Sequence, residues 1–217
     1  MLRACIEPQT PFANGDLSLI GKLYSSEQCK TLLAELITTI KWNDDYCVVF
    51  GRRFDIPRLQ AWYADEGIQY NYSNNLLQTQ PWLASLFDIK KDIQQNTGHE
   101  FNSVLVTFYR HGNDHVTWHA DDEEELGAEP VIASLSLGAT RSFQFRHKHD
   151  NVFGNILLND GDLLLMRPRF QADWEHCVPS EPSVSKPRIN LTFRKVVPPR
   201  SAYPALRFNL DGYLNKS

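Results

Sequence analysis

From Phe101 onward the hydrophobic pattern of this chain changes period, and that change limits the fold more than any other feature. Short segments at Val104–Tyr109, Val131–Leu137, Ser142–Arg146, Asn155–Leu158, Leu163–Met166 and Arg188–Val196 follow one another with turn residues between them. Runs of this length and spacing read as strands. Before them the spacing is helical. Ser25 and Gln28 form a Ser-x-x-Gln capping box ahead of Leu32, Leu33, Leu36, Ile37 and Ile40. A second helix is expected from Pro81 to about Asn96, burying Trp82, Leu83, Leu86 and Ile93 and stopping at Gly98. The stretch before Ser25, with Pro8 and Pro11, reads as irregular, and the tail after Pro198-Pro199 as a loose or surface-packed extension. Two helices followed by a series of strands is an α+β pattern. The strands are expected to curl into a two-sheet jelly roll, a double-stranded β-helix, with the helices supporting one sheet.

A chain of 217 residues, 42% of them hydrophobic, can bury one sizeable core without disulfide staples. No run of 18 apolar residues and no charged-then-apolar leader occurs, so a single unsecreted domain without a membrane span is expected. Cys5, Cys29, Cys47 and Cys177 show no Cys-x-x-Cys pairing, which suits reduced thiols in a cytoplasm or nucleus. A net charge of −4 argues against a protein that coats nucleic acid electrostatically; binding DNA or RNA would need a local basic patch.

His119 and Asp121 are two residues apart, which on an extended strand puts both side chains on one face. With a distant histidine, they would form the 2-His-1-carboxylate facial triad, which leaves positions open for a bidentate keto acid and O2. His-x-Asp alone is common by chance, so its companions decide. In Arg188-Ile189-Asn190-Leu191-Thr192-Phe193-Arg194 a strand would put Arg188, Asn190, Thr192 and Arg194 on a polar face and Ile189, Leu191 and Phe193 on an apolar one. Two arginines with hydroxyl and amide groups between them suit a small dicarboxylate; by alternation alone an ordinary exposed strand fits too. Val104–Tyr109 has the same property, with Thr107 and Tyr109 opposite Val106 and Phe108. The spacing of His111, His115 and His119 would align them on a helix like zinc ligands, but Gly112-Asn113-Asp114 reads as a turn and Val116-Thr117 as extended. Cys177 would point away from the metal on an extended strand, as a small buried thiol.

Four ordered stretches make the pattern specific: Phe101 through Tyr109-Arg110-His111-Gly112, Trp118-His119-Ala120-Asp121-Asp122-Glu123, Ser142-Phe143-Gln144-Phe145-Arg146-His147-Lys148, and Arg188 to Arg194. Together they resemble the AlkB family of Fe(II)- and 2-oxoglutarate-dependent dioxygenases that repair alkylated DNA, in particular the branch with the animal nuclear DNA-repair homologues. The resemblance runs from about Phe12 to Val197. It implies that His119, Asp121 and His176 hold the iron. It further implies that Tyr109 and Arg188 hold the far carboxylate of 2-oxoglutarate, with Arg194 nearer the chelating end and Asn190 and Thr192 completing the pocket. Family members usually carry asparagine where this chain has Thr107, which keeps a hydroxyl but loses the amide.

The implied reaction converts 2-oxoglutarate and O2 to succinate and CO2 and hydroxylates the N-alkyl carbon of a base such as 1-methyladenine or 3-methylcytosine, releasing formaldehyde. One dioxygenase domain over 1–217 is implied: about 12–100 as N-terminal extension and nucleotide-recognition lid, about 101–197 as catalytic core, and 198–217 as tail. The partner would be alkylated DNA, with RNA as an alternative, and the protein a monomer, nuclear in a eukaryote or cytoplasmic in a bacterium.

Chemistry on a base requires it to be flipped out and held between flat side chains. Tyr70-Asn71-Tyr72-Ser73 resembles the family's nucleotide-recognition segment, so Tyr72 would stack on the base, with the His119 ring on its other face and Asp122 near the base edge. Phe50-Gly51-Arg52-Arg53, followed by Pro57-Arg58, resembles the hairpin that probes the duplex, with Arg52, Arg53 and Arg58 supplying local positive charge for phosphates. Other readings stay open: Tyr70 and Tyr72 as strand residues, Asp121 to Glu125 as a solvated acidic loop, Phe50 as core after Val48-Val49. The competing functions are an RNA demethylase, an oxygenase acting on a protein or small molecule, and a catalytically silent jelly-roll binding module. The intact ligand set and both arginines disfavour the last.

Overall fold

The computed structural model describes residues 11–43, 46–49, 52–68, 71–72, 75–76 and 79–197. Phe50, Gly51, Tyr70 and the 198–217 tail lie outside the described residues. In chain order the strands are β1 (Pro11–Phe12), β2 (Leu17–Lys22), β3 (Tyr46–Val49), β4 (Arg52–Asp55), β5 (Leu59–Ala64), β6 (Asn71–Tyr72) and β7 (Asn75–Leu76), then β8 (Ser103–Tyr109), β9 (Val116–His119), β10 (Ile132–Gly138), β11 (Arg141–His147), β12 (Phe153–Leu158), β13 (Asp162–Met166), β14 (Trp174–Val178) and β15 (Arg188–Arg194). The helices are α1 (Ser26–Thr39), α2 (Ala84–Thr97) and α3 (Pro168–Asp173).

Both long helices start or stop where local chemistry dictates. Ser25 Oγ accepts from the Gln28 amide at 3.3 Å, and Gln28 Oε1 accepts from the Ser25 amide at 3.0 Å, closing the capping box of α1. Gly98 ends α2 at φ 74°, a left-handed conformation that costs glycine little.

The jelly roll consists of a major sheet in the order β1-β2-β13-β10-β15-β8-β5 and a minor sheet in the order β12-β11-β14-β9. Alternation along the major strands sorts their residues into two layers. Val104, Val106, Leu135, Leu137, Ile189, Leu191 and Phe193 face outward and pack with Leu36 of α1, with Ile40 just past its end, and with Leu86, Ile89 and Ile93 of α2. Between the sheets, Phe143, Phe145, Phe170 and Trp174 form an aromatic cluster with Leu105, Leu164 and Met166. Truncating any of these buried aliphatic side chains to alanine costs about 2–5 kcal/mol, so the two layers carry much of the fold's stability.

Residues 11–24 are more ordered than their sequence suggests. After the Ala13–Gly15 turn, β2 pairs with β13 and joins the major sheet. Leu59–Ala64 adds β5 at the opposite edge, paired with β8. Strands from before residue 101 therefore complete the jelly roll, because the outer strands of the major sheet need partners that the later segments do not supply. The second helix begins at Ala84, three residues after Pro81, with Leu83 as its N-cap. No helix among the described residues is long and apolar enough to cross a membrane.

Candidate active site

The register of the major sheet builds the inner wall of a cavity row by row. Arg188 lies opposite Tyr109, Asn190 opposite Thr107, Thr192 opposite Leu105, and Arg194 opposite Ser103. β10 adds Ser136 beside Asn190 and Ser134 beside Thr192, while β5 adds Gln60 beside Thr107. The polar face anticipated for β15 is thus turned inward. Arg188 and Arg194 are 1% and 2% exposed, which excludes the solvated-strand reading. Arg188 Nη2 donates to Ser136 Oγ and to Asn190 Oδ1, both at 2.9 Å. Asn190 donates in turn to Thr192 Oγ1 at 2.7 Å and accepts from Ser134 Oγ at 2.9 Å. These bonds lock the polar side chains into one arrangement before any ligand arrives.

The minor sheet supplies the opposite wall. His176 on β14 is paired directly with His119 on β9, and their rings are 4.3 Å apart between centroids. β9 ends at His119, so Asp121 follows the strand rather than belonging to it. Its main chain is held by Gln171 Oε1, which accepts from the Asp121 amide at 2.9 Å. Asp121 Oδ1 is 3.7 Å from His119 Nε2, and a ligand atom from each of His119, Asp121 and His176 lies within 4.8 Å of the others. Asp121 Oδ2 accepts from Arg194 Nη2 at 2.7 Å, an ion pair that ties the cluster to the major sheet.

Three details fit a divalent metal here. His119 Nδ1 is 2.8 Å from the Thr117 carbonyl, which fixes the proton on that nitrogen and leaves the Nε2 lone pair for a metal. Asp121 Oδ1 and His176 Nδ1 are buried without a hydrogen-bond partner, an expensive state unless something else engages these side chains. Protonation states agree. Burial alone would raise the Asp121 carboxyl, but the Arg194 guanidinium beside it holds it well below the usual carboxylate range. Burial, reinforced by His119, lowers His176 to about 3 and keeps its imidazole neutral. Two imidazoles and a carboxylate are the donor set that a facial triad requires.

His119, Asp121 and His176 line one cavity together with Thr107, Tyr109, Arg188, Asn190, Thr192 and Arg194, so the structure brings all nine together. The cavity is narrow, with about 50 Å³ of free space between these side chains. Burial draws the Arg188 guanidinium down to about 10, with the Tyr109 hydroxyl pulling the other way; it remains charged at neutral pH. Its Nε and Nη1 are buried and make no hydrogen bond, leaving donors for an incoming carboxylate.

The substrate-side residues stand differently. Asp122 is exposed and pairs with Lys148 at 3.4 Å. The backbones of Arg52 and Tyr72 lie in β4 and β6. Arg58, expected to contact phosphates, is instead 8% exposed, lines the same cavity, and donates from Nη1 to the His115 carbonyl at 3.1 Å. The alternation of β5 explains this, since Arg58 falls in phase with the inward-facing Gln60. His111 and His115 stay outside the ligand cluster, and the Cys177 thiol faces Gln144, away from the cavity. Sequence reasoning missed Gln60, Ser134, Ser136 and Gln171. The Ala-Ser-Leu-Ser-Leu alternation of β10 was a usable signal for the two serines.

The 2OG-Fe(II) oxygenase superfamily matches residues 16–194. The chain is 43% identical over 182 residues to the alpha-ketoglutarate-dependent dioxygenase alkB homolog 3 of Mus musculus, covering 79% of this chain and 63% of that protein. It is 40% identical over 157 residues to the DNA oxidative demethylase ALKBH2 of Homo sapiens, covering 69% of this chain and 60% of the relative. The chain therefore spans somewhat less than two thirds of the length of these curated relatives. Among solved structures, OsALKBH1 superposes with a TM-score of 0.60 at 18% identity, over 87% of this chain and all of that one, a likeness of fold. Fe(II), 2-oxoglutarate and O2 are the cofactor and cosubstrates of such enzymes, and the residues present fit them. A His-Asp-His cluster able to hold a metal and a two-arginine pocket in one jelly-roll cavity agree with the match along the chain: it belongs to the 2OG-Fe(II) oxygenase superfamily, in its AlkB family.

Proposed function

We infer that this protein is an oxidative DNA dealkylase that removes N-alkyl groups from bases such as 1-methyladenine and 3-methylcytosine. The observation that carries the reading is the joining of the His119–Asp121–His176 cluster and the Arg188–Arg194 polar ladder in one buried cavity; the relatives at about 40% identity direct it to DNA. Iron held by the cluster supplies the oxidising chemistry that couples 2-oxoglutarate decarboxylation by O2 to hydroxylation of the N-alkyl carbon. The chain's own residues do the rest. Arg188 and Tyr109 bind the far carboxylate, Arg194 steadies Asp121 and the chelating end, and Asn190, Thr192 and Thr107 close the pocket. A nucleotide-recognition lid within the first hundred residues would bring Tyr72 to the flipped base, whose edge Asp122 would meet from beside the metal cluster, with Phe50, Gly51 and Arg52 probing the duplex. The whole chain acts as one dioxygenase domain. Anaerobic loading with Fe(II) and 2-oxoglutarate, followed by O2 and a methylated oligonucleotide, should give repaired base and succinate together. Succinate only with an RNA substrate would redirect the reading to RNA, and none with either would remove it.

If Tyr72 stacks on the base, Tyr72→Ala should weaken repair by about 1–3 kcal/mol in kcat/KM, the worth of one base–aromatic stack. Tyr72→Phe should retain most of it, and substrate-free 2-oxoglutarate decarboxylation should hardly change. Repair by Tyr72→Ala at the parent's rate would assign the base to another side chain.

Phe50 separates duplex repair from single-strand repair. Flipping a base from a duplex leaves a gap and costs a few kcal/mol, which an inserted apolar side chain partly offsets. Phe50→Ala should therefore impair repair of a duplex lesion far more than of the same lesion in a single strand. Equal losses on both, with a lowered melting temperature, would identify Phe50 as core, where truncation costs about 3–5 kcal/mol.

A further inference from the structure

Arg141, the first residue of β11, is 1% exposed and lines no part of the cavity wall described above, yet its guanidinium holds together the chain on either side of the cavity's far end. Nε donates to Glu181 Oε2 at 2.8 Å. Nη2 donates to the Pro179 carbonyl at 2.6 Å and to the Asp114 carbonyl at 2.9 Å, with the Gly112 carbonyl at 3.4 Å. These acceptors come from two loops. One, residues 110–115, leads from Tyr109 to the strand that carries His119; the other, residues 179–187, leads from the His176 strand to Arg188. The loops also bond each other: the Gly112 amide donates to the Val184 carbonyl at 2.6 Å, and the Glu181 amide to the Gly112 carbonyl at 2.7 Å. They are pressed so close that a Cβ on Gly112 would overlap the Glu181 carbonyl. Glu181 is itself fixed, accepting from Ser142 Oγ at 2.8 Å.

The same guanidinium lies over the Tyr109 ring, 5.5 Å from its centroid, and that of Arg188 lies over it at 5.2 Å. Tyr109 is thus held by cation–π contact with two arginines. Arg188 has donors to spare, whereas those of Arg141 are spent on carbonyls and Glu181. That difference divides the labour: one arginine is free for a ligand, and the other has the bonding of a fixed scaffold.

We propose that Arg141 is a positioning residue for the keto diacid: by clasping both loops and the Tyr109 ring it fixes the far-carboxylate end of the pocket and so sets the length of diacid accepted. This rests on the reading of the cavity as a 2-oxoglutarate site. A rigid far wall accepts one chain length, and a loosened wall both weakens the correct diacid and discriminates less against one carbon more.

The experiment compares the parent with Arg141→Met and Arg141→Lys by three measurements. These are thermal melting, calorimetric binding of 2-oxoglutarate to the Mn(II)-loaded protein, and steady-state half-saturation for 2-oxoglutarate and for 2-oxoadipate. The expected result for Arg141→Met is a loss of about tenfold in 2-oxoglutarate binding and half-saturation, in the range for removing a residue that orients a binding group. Its kcat should change far less, and the preference for 2-oxoglutarate over 2-oxoadipate should narrow. Arg141→Lys should fall between, since it keeps the charge and reaches fewer carbonyls. If Arg141→Met does not fold, Glu181→Gln, which breaks the Nε ion pair from the other side, should show the same pattern to a smaller degree. A lowered melting temperature with unchanged binding and unchanged diacid preference overturns the proposal and leaves Arg141 a structural clasp. Failure of the parent itself to bind 2-oxoglutarate would overturn the site reading, and this inference with it.

Discussion

Asp121→Ala should lose turnover by more than about a hundredfold, since residues that only orient metal ligands already cost about 10–100-fold and Asp121 would be a ligand itself. The structure adds a second consequence. Asp121 Oδ2 bonds Arg194 at 2.7 Å with both side chains nearly fully buried, so removing the carboxylate deprives a buried guanidinium of its counter-ion. Breaking one side of such a pair costs about 3–5 kcal/mol. Loss of stability is therefore expected alongside loss of activity, where His-x-Asp on its own suggests that folding should largely survive. Asp121→Asn keeps the shape and the hydrogen bond to Arg194, and should separate the two effects: a smaller drop in melting temperature, with weakened Mn(II) binding and little turnover. His119→Ala and His176→Ala should also abolish turnover. Full activity of Asp121→Ala at saturating iron, without added carboxylate, would remove Asp121 from the metal site.

What the sequence made legible follows from how differently its two faces are used. On β15 every outward residue is buried against helices and every inward one meets the polar cavity, so period-two alternation was visible in full and both arginines could be placed on one face. The metal cluster was legible through His-x-Asp and a family resemblance, not through spacing alone. β5 was not: with Ala61, Trp62, Tyr63 and Ala64 at 3% exposure or less, apolar residues fall on both faces and little alternation survives. Missing β5 then misplaced Arg58, whose charge suggested a surface until the strand's phase turned it inward. β2 was hidden for another reason. It carries Gly21 at φ 103° beside a register shift against β13, an irregularity that blurs the pattern. Arg141 left no trace, because its acceptors are backbone carbonyls from two loops distant in sequence, and such contacts exist only once the fold has closed.

Arg188→Ala should raise the 2-oxoglutarate half-saturation steeply. Losing a charge-assisted partner in a desolvated pocket costs on the order of 2–5 kcal/mol, or roughly a few tens to a few thousandfold in the constant. Arg188→Lys should recover part of this, keeping the charge without the planar fork. The effect on the free protein should be smaller than that at Asp121. Arg188 is 1% exposed, burial draws its pKa down to about 10, and its Nε and Nη1 make no hydrogen bond, so it is a cation held in the core ahead of its ligand at a cost to folding. That cost applies while the guanidinium is charged, throughout the pH range below about 10, and diminishes as pH rises past that point. Replacement by alanine removes that cost together with two hydrogen bonds and a large buried side chain, so the ligand-free melting temperature should fall less than in Asp121→Ala. The rise in melting temperature that 2-oxoglutarate gives the parent should be largely lost. The measurement is a pair of melting curves, with and without 2-oxoglutarate, beside the steady-state half-saturation. An unchanged half-saturation point in Arg188→Ala, with the ligand-induced rise intact, would place the far carboxylate elsewhere in the cavity, with Arg58 the next buried guanidinium to test.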